Sequence, residues 1–286
     1  MKKTKLIFIL ILVINILLRI PSLFDPVSYG DECIYLTLGN AFRQGLVFYR
    51  DIHDNKPPLL YLVAAISGNK LFWFRLITII RNTINICLIY KLTKKILKKD
   101  QAAIISSSVF AVFTLLPEGR IANGEIFMIM PATLGVLFAL NASWVLSGLC
   151  FSLAFLFKVP IAFDFIGFLL AFFVFVLPKK AFSKKKLKNT LLVFLKDKRL
   201  YLILIGFFCP IFLSIIYYAQ KGAFTPYVRS ALLQNIGYLS SWGKTNWGLF
   251  QRTTILLTIS LLIFRWRQKL GLAFHLPALM TLFGLY

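Results

Sequence analysis

The feature that most constrains this chain is a succession of apolar runs, separated by short segments that hold most of the charge. The runs are Leu6–Ile20, Leu71–Tyr90, Ala102–Leu116, Phe127–Leu140, Trp144–Phe157, Ile161–Leu177, Leu200–Ala219 and Leu249–Phe264, and a last one starts at Gly271. Each approaches the roughly 20 residues that cross a hydrocarbon core. Hydrophobic residues make up 59% of the 286, where a soluble domain averages about half. Short alternating segments of the kind that build a barrel do not occur. The expected fold is an all-α polytopic membrane protein with about nine transmembrane helices, the last incomplete. That last run reaches only 16 residues by Tyr286, so the reading is a single membrane domain over 1–286, truncated at its C-terminus.

A net charge of +23 would suit a nucleic-acid partner in a soluble protein, but its placement argues otherwise. Lys2, Lys3 and Lys5 precede the first run, Lys91 to Lys99 follow the second, nine basic residues fill 179–199, and Arg265, Arg267 and Lys269 follow the eighth. If the runs alternate in direction, all four clusters share one side. That is the positive-inside pattern, which makes this side the cytoplasm and leaves the N-terminus there. The segment 179–199 is then a basic cytoplasmic loop, with anionic lipid headgroups as its secondary partner. A cleaved signal peptide is the alternative for Leu6–Ile20. No small-residue cleavage site follows, and Arg19-Ile20-Pro21 is a poor one, so an uncleaved helix is expected. Cys33, Cys87, Cys150 and Cys209 form no C-x-x-C pair, and three of them lie in apolar runs. They read as small hydrophobes, not as a disulfide frame or a metal site.

The acidic residues are distributed in the opposite way. On the alternating topology eight of the ten carboxylates fall on the outer face, most of them in two segments. The first outer loop, 24–58, carries Asp31-Glu32 and Asp54-Asn55-Lys56-Pro57-Pro58; the second carries Glu118 to Glu125. Acidic groups beside a membrane core need solvent, partners or a function. Within the first loop Ile34, Leu38, Ala41 and Phe42 recur at helical spacing, and Gly45 is well placed as a stop. An amphipathic interfacial helix is expected there, with the Asp-Glu pair just before it. Pro57-Pro58 should then give an extended approach to the next helix. A carboxylate held near a bilayer surface can act as general base on a hydroxyl, and a fixed cation can hold a phosphate and stabilise its charge as it leaves.

The ordered set of span, Asp31-Glu32, Tyr49-Arg50-Asp51-Ile52-His53-Asp54-Asn55-Lys56-Pro57-Pro58-Leu59-Leu60-Tyr61, Arg75-Leu76, Ala122-Asn123-Gly124-Glu125 and Leu153 to Lys158 resembles the C-type membrane glycosyltransferases. The branch is the one related to protein O-mannosyltransferases and lipid A aminoarabinose transferases, and the resemblance covers roughly residues 1–175. It implies transfer of a sugar, with inversion, from a polyprenyl-phosphate donor to an acceptor outside the cytoplasmic membrane of a bacterium or archaeon. The acceptor class, whether protein, lipid or glycan, stays open. It further implies that Asp31 is the catalytic carboxylate and that Glu32 orients the acceptor or supports Asp31. Lys56 would bind the donor phosphate, with Arg75, Arg120 and Lys158 as further partners for it. Asp54 and Glu125 would contact substrate. Members of that family commonly have more spans than this chain, which agrees with truncation.

Blander readings stand beside these. Lys56 could simply snorkel to the headgroups. Arg75 could pair with an acid between helices, Lys158 with Asp164, and Glu118 could be a solvated loop acid. His53 with Asp54 is the place for a divalent cation, although one histidine and scattered acids do not make a site by spacing. Tyr227, Tyr238, Trp242 and Trp247 could stack on a sugar or form an interfacial aromatic belt. The rival function is a transporter or flippase for a lipid-linked sugar. Such a protein would more often show broken spans or paired repeats, with charges in mid-membrane.

Overall fold

The computed structural model describes residues 2–26, 29–176 and 195–234. Within them the chain is helical: α1 Lys2–Arg19, α2 Gly30–Arg43, α3 Leu59–Ile66, α4 Leu71–Leu97, α5 Asp100–Phe113, α6 Pro117–Arg120, α7 Gly124–Leu140, α8 Trp144–Phe157, α9 Ile161–Val176, α10 Lys198–Gln220 and α11 Phe224–Tyr227. A π-helical stretch, Val228–Leu233, continues α11. Among the described residues the β-type pairing is one isolated bridge between Phe48 and Ile52.

Three helical stretches, Lys3–Leu23, Leu71–Leu97 and Lys198–Gln220, are long and apolar enough to cross a membrane. The remaining apolar helices are shorter. The chain is an all-α membrane protein, but the expected nine spans are not reached among the described residues, and the runs from Leu249 and Gly271 lie outside them. The basic loop lies outside them too, apart from its end at 195–199.

Several boundaries follow from local chemistry. The 27 residues of α4 end where Lys98 turns left-handed at φ 55° and its N–H bonds back to the Lys94 carbonyl at 2.9 Å. Lys94 and Lys95 in the last turn complement the negative end of the helix dipole. Asn123 caps α7, its side chain accepting from the Ile126 N–H. The expected amphipathic helix is α2, closed by Gly45 at φ +89°. Two expectations need correction. Asp31-Glu32 lie inside the first turn of α2 and not before it, where the helix dipole favours negative charge. Pro58 adopts helical angles as the cap of α3, so the chain makes a short extra helix before α4 where an extended approach was expected.

The helices form two packed groups. In the first, α1 lies against α4 and α5; in the second, α7, α8, α9 and α10 pack together, and α4 against α7 joins the two. Each group is closed by a different device. The first buries polar side chains. Asn15 donates to the Ala111 carbonyl at 3.0 Å, and Arg19, fully buried, donates to the Gly119 carbonyl at 2.8 Å and to that of Thr114. Such bonds hold helices together where lipid gives no hydrophobic drive. The second group uses small residues. A Cβ built on Gly148 of α8 would lie 2.0 Å from the Ile203 carbonyl oxygen, and one on Gly206 of α10 would lie 2.2 Å from that of Val145. The two backbones meet there with no room for a side chain. Helices α2 and α3 pack on each other in the same manner at Gly39, whose Cβ would meet the Ala65 nitrogen at 2.6 Å.

A Gly148→Leu substitution should separate α8 from α10. Overpacking of this kind destabilises by about 2–3 kcal/mol, to be read as a lower midpoint of unfolding in detergent. Gly45→Ala, in a left-handed position with open space around it, should cost about 1 kcal/mol or less. Equal effects of the two would show that the α8–α10 contact is not close-packed.

Candidate active site

The N-terminal turn of α2 presents two carboxylates in opposite settings. Asp31 is about one-third exposed, while Glu32 is fully buried. Consecutive residues on a helix point about 100° apart, so one faces the site and the other the core.

Glu32 meets Arg75 of α4 through two parallel bonds, 3.1 Å from Nε and 2.7 Å from Nη2. Its Oε1 also accepts the Ala122 N–H at 2.9 Å. The remaining nitrogen of Arg75, Nη1, donates to the carbonyls of Ser22 at 2.9 Å and Asp25 at 2.6 Å. This one pair therefore ties together the end of the first span, α2, α4 and the segment before α7. Arg75 is 2% exposed and fully engaged, so it is not available to a phosphate here. Glu32 is equally withdrawn from solvent.

Asp31 gathers donors on a single oxygen. Oδ2 receives the Tyr35 hydroxyl at 2.9 Å, the Tyr29 hydroxyl at 3.4 Å and the Lys56 ammonium at 3.2 Å. No described residue donates to Oδ1. Burial pushes the Asp31 carboxyl up, but the Lys56 charge and the Tyr35 and Tyr29 hydroxyls outweigh it and hold it below its ordinary value. Lys56 also stands 4.0 Å from Asp54 and over the Tyr35 ring. Asp54 accepts the Tyr61 hydroxyl at 2.6 Å and the Asn55 N–H at 2.7 Å. Burial, then the nearby carboxylates, raise the Tyr35 and Tyr61 phenols far above their usual range, so both stay protonated as donors.

Beneath these polar groups lies a run of rings. Tyr35 meets Tyr61 and Phe74, Phe74 stacks on Phe127, and Phe127 meets Phe157, with centroids 5.6–6.4 Å apart. Arg81 closes the run, its guanidinium 4.7 Å from the centres of both Phe127 and Phe157. Above Phe157, Lys158 pairs with Glu125 and not with Asp164. A Cβ on Gly124 would touch both Lys158 and Leu60, so this second ion pair borders α3 and the first cluster.

The structure thus brings Asp31, Lys56 and Asp54 into one cluster and sets Glu125 with Lys158 at its edge. Arg120 is exposed at the end of α6, with no ion pair among the described residues. His53 is exposed and its Nδ1 lies 3.4 Å from the Ser230 hydroxyl, while Asp54 is turned to Tyr61. The two side chains are turned to different partners, and no group of three potential metal ligands gathers among the described residues. Tyr227 is fully buried, between Tyr49 and Tyr218, with its hydroxyl on Ser214 at 2.8 Å, so it is packing and not a sugar platform. Tyr238, Trp242 and Trp247 lie outside the described residues.

Sequence reasoning missed Tyr29, Tyr35, Tyr61 and Arg81. Tyr35 was accessible, because it stands four residues after Asp31 on the same helical face. Tyr61 meets Asp54, seven residues before it, because the chain folds back between Asp54 and α3, and Arg81 reaches Phe127 through tertiary packing.

Glu32→Gln should leave Arg75 buried beside a neutral partner and destabilise by about 3–5 kcal/mol, the usual penalty for breaking a buried pair from one side. Replacing both, Glu32→Leu with Arg75→Met, should restore part of that loss in a double-mutant cycle of unfolding midpoints. Additive losses would mean that the two residues are not coupled.

Residues 56–196 match the family model of dolichyl-phosphate-mannose-protein mannosyltransferases. No curated protein and no solved structure matches the chain. The match begins at Lys56, spans Arg75, Glu125 and Lys158, and stops short of Asp31, which the structure joins to it through the 3.2 Å contact with Lys56. With its apolar helices, this match supports a C-type membrane glycosyltransferase of mannosyltransferase-like kind.

Proposed function

We propose that this glycosyltransferase moves a sugar from a polyprenyl-phosphate donor to an acceptor hydroxyl, with inversion, at the outer face of the cytoplasmic membrane. The observation that carries the reading is the asymmetry of Asp31. Three donors fix Oδ2 and leave Oδ1 without a described partner. A general base needs this arrangement: it must be ionised, held in one orientation, and have an open lone pair.

The chemistry follows from the groups present. Oδ1 of Asp31 takes the proton of the acceptor hydroxyl as its oxygen attacks the anomeric carbon. The bond from that carbon to the phosphate oxygen breaks, and its electron pair leaves on the lipid phosphate. Lys56 stands beside Asp31 and can turn to the phosphate as this charge develops. Lys158 and Arg120 are the further cations for the same anion, and Glu125 and Asp54 are the acidic groups for sugar hydroxyls. Glu32 and Arg75 act through position alone. The outer-face placement rests on the basic clusters, which put Asp31 on the side opposite to Lys91–Lys99. The family match favours a transferase over the rival flippase.

Asp31→Asn should lower transfer from a labelled polyprenyl-phosphate hexose by about 10²–10⁴-fold, the range of a lost general base, in membranes where the protein is still inserted. Lys56→Ala should chiefly raise KM for the donor. Wild-type rates in both variants would overturn the assignment.

The acid limb of the reaction has a definite sign. A lowered Asp31 pKa keeps the base ionised, and transfer active, to below the ordinary carboxylate range. Lys56→Met removes the strongest lowering influence and leaves burial, so the limb should move to higher pH. A limb that stays in place or moves down in kcat/KM, which reports the donor-free enzyme where Lys56 still faces Asp31, would show that Asp31 is not the titrating base.

A further inference from the structure

The far end of α2 borders a groove that the transfer site does not use. It has a volume of about 620 Å³ and is lined by Arg43, by Ser67, Gly68 and Lys70 of the α3–α4 turn, and by Trp73, Ile77 and Ile80 down one face of α4. The turn is built for this shape, since Gly68 and Asn69 both take left-handed angles, at φ 67° and 61°. Below it Trp73 and Ile80 are about half exposed. Arg75 and Ile79, on the opposite side of the same helix, are buried. The groove therefore runs along the outer surface of a helix long and apolar enough to span a membrane.

Its upper rim is cationic. Arg43 and Lys70 are both exposed, and neither has an ion-pair partner among the described residues. Exposed cations elsewhere divide among the described residues: Arg50 and Lys94 hold acids, while Lys91, Lys98 and Arg120 have no ion pair, so it is the apolar slot beneath Arg43 and Lys70 that sets this rim apart. Two unpaired cations at the end of a spanning helix, above an apolar slot, complement one anionic headgroup and its acyl chain in charge and in polarity.

The geometry points to a binding site for an anionic phospholipid, with its phosphate between Arg43 and Lys70 and one acyl chain along Trp73, Ile77 and Ile80. The donor itself does not fit this occupancy. Asp31 and Arg43 are twelve residues apart on one helix, about 18 Å along its axis. A phosphate held at Arg43 is thus too far from Asp31 to carry the sugar being transferred. The lipid would instead brace α2 against the α3–α4 turn, at the end opposite the Glu32–Arg75 pair.

Trp73 supplies the readout. The full chain in mixed micelles would be titrated with phosphatidylglycerol or phosphatidylcholine carrying brominated acyl chains. The quenching due to Trp73 is the difference between wild type and Trp73→Phe. Half-quenching should need at least fivefold less phosphatidylglycerol than phosphatidylcholine. Arg43→Gln with Lys70→Gln should remove that preference, and Lys91→Gln with Lys98→Gln, exposed cations at the other end of α4, should keep it. Ile77→Trp, measured through displacement of a fluorescent phosphatidylglycerol, should weaken binding while the rim charges stay in place. Glycerol phosphate at millimolar concentration should not compete, because it lacks the chain. Equal curves for the two lipids, or equal loss in both double variants, would reduce the groove to unspecific charge and overturn the site. Full competition by glycerol phosphate would overturn the assignment to a lipid.

Discussion

The bidentate contact of Glu32 with Arg75 is the interaction on which the site depends. It is almost completely withdrawn from solvent, and every nitrogen of the guanidinium that can bond outward does so. Removing two charges from water is expensive, and a buried pair repays it only with good geometry and further hydrogen bonds. The carbonyls of Ser22 and Asp25 and the Ala122 N–H supply those bonds. They come from segments far apart in sequence, so the pair cannot form until the first span, α2, α4 and the start of α7 are in place. Asp31 is the next residue on the helix. Its direction is therefore set by the pair, and the three donors on Oδ2 then fix its rotation.

Much of this was legible in the sequence and some was not, for reasons that differ by residue. The α8 boundaries, Trp144 to Phe157, are those of the apolar run, because nothing but hydrophobicity decides them. Helix α2 was visible from the spacing of Ile34, Leu38 and Phe42, yet its start was misplaced. Asp and Glu read as loop residues until the helix dipole that favours them in a first turn is considered. Helix α3 was hidden because Pro57-Pro58 suggests an extended chain, while proline is tolerated at a helix start. For the site, Asp31, Lys56 and Asp54 were singled out through the resemblance carried by their loop, while their meeting in one cluster is a feature of the structure. The choice between pairing and phosphate contact for Arg75 could not be made that way. It turns on whether Glu32 faces inward, which a one-dimensional pattern leaves open by a rotation of one residue.

Polar atoms inside the helical groups follow a similar division. Arg19 and Asn15 satisfy carbonyls of neighbouring helices and so hold α1 in place. Asn85, Ser147 and Ser152 are buried with no hydrogen-bond partner for their side chains. Small polar groups of this kind let backbones approach closely, as at Ser147 beside Gly148 in the α8–α10 contact. The unpartnered Asn85 amide has no such account here.

The three acid–base pairs near the site differ in what they can do, and exposure decides it. The Glu32–Arg75 pair is closed to water, so exchanging either partner would leave a bare charge in the core. The Asp31–Lys56 and Glu125–Lys158 pairs are partly open. Pairs with that access to solvent contribute only about 0–1 kcal/mol. A phosphate arriving at either lysine can replace the carboxylate at small cost, through a charge-assisted bond of its own. Exchange at Lys56 has a second consequence. It withdraws the ammonium from Oδ2 of Asp31, which removes the strongest of the influences holding that carboxyl below its ordinary value and leaves the Tyr35 and Tyr29 hydroxyls. On the proposed mechanism Asp31 would then be more basic with the donor phosphate in place, while Tyr29 and Tyr35 keep it oriented. The proposed roles of Asp31 and Lys56 thus predict that donor binding and base strength are coupled through one lysine, which requires Lys56 to stand between Asp31 and the open surface and to be free to turn, as its partial exposure permits.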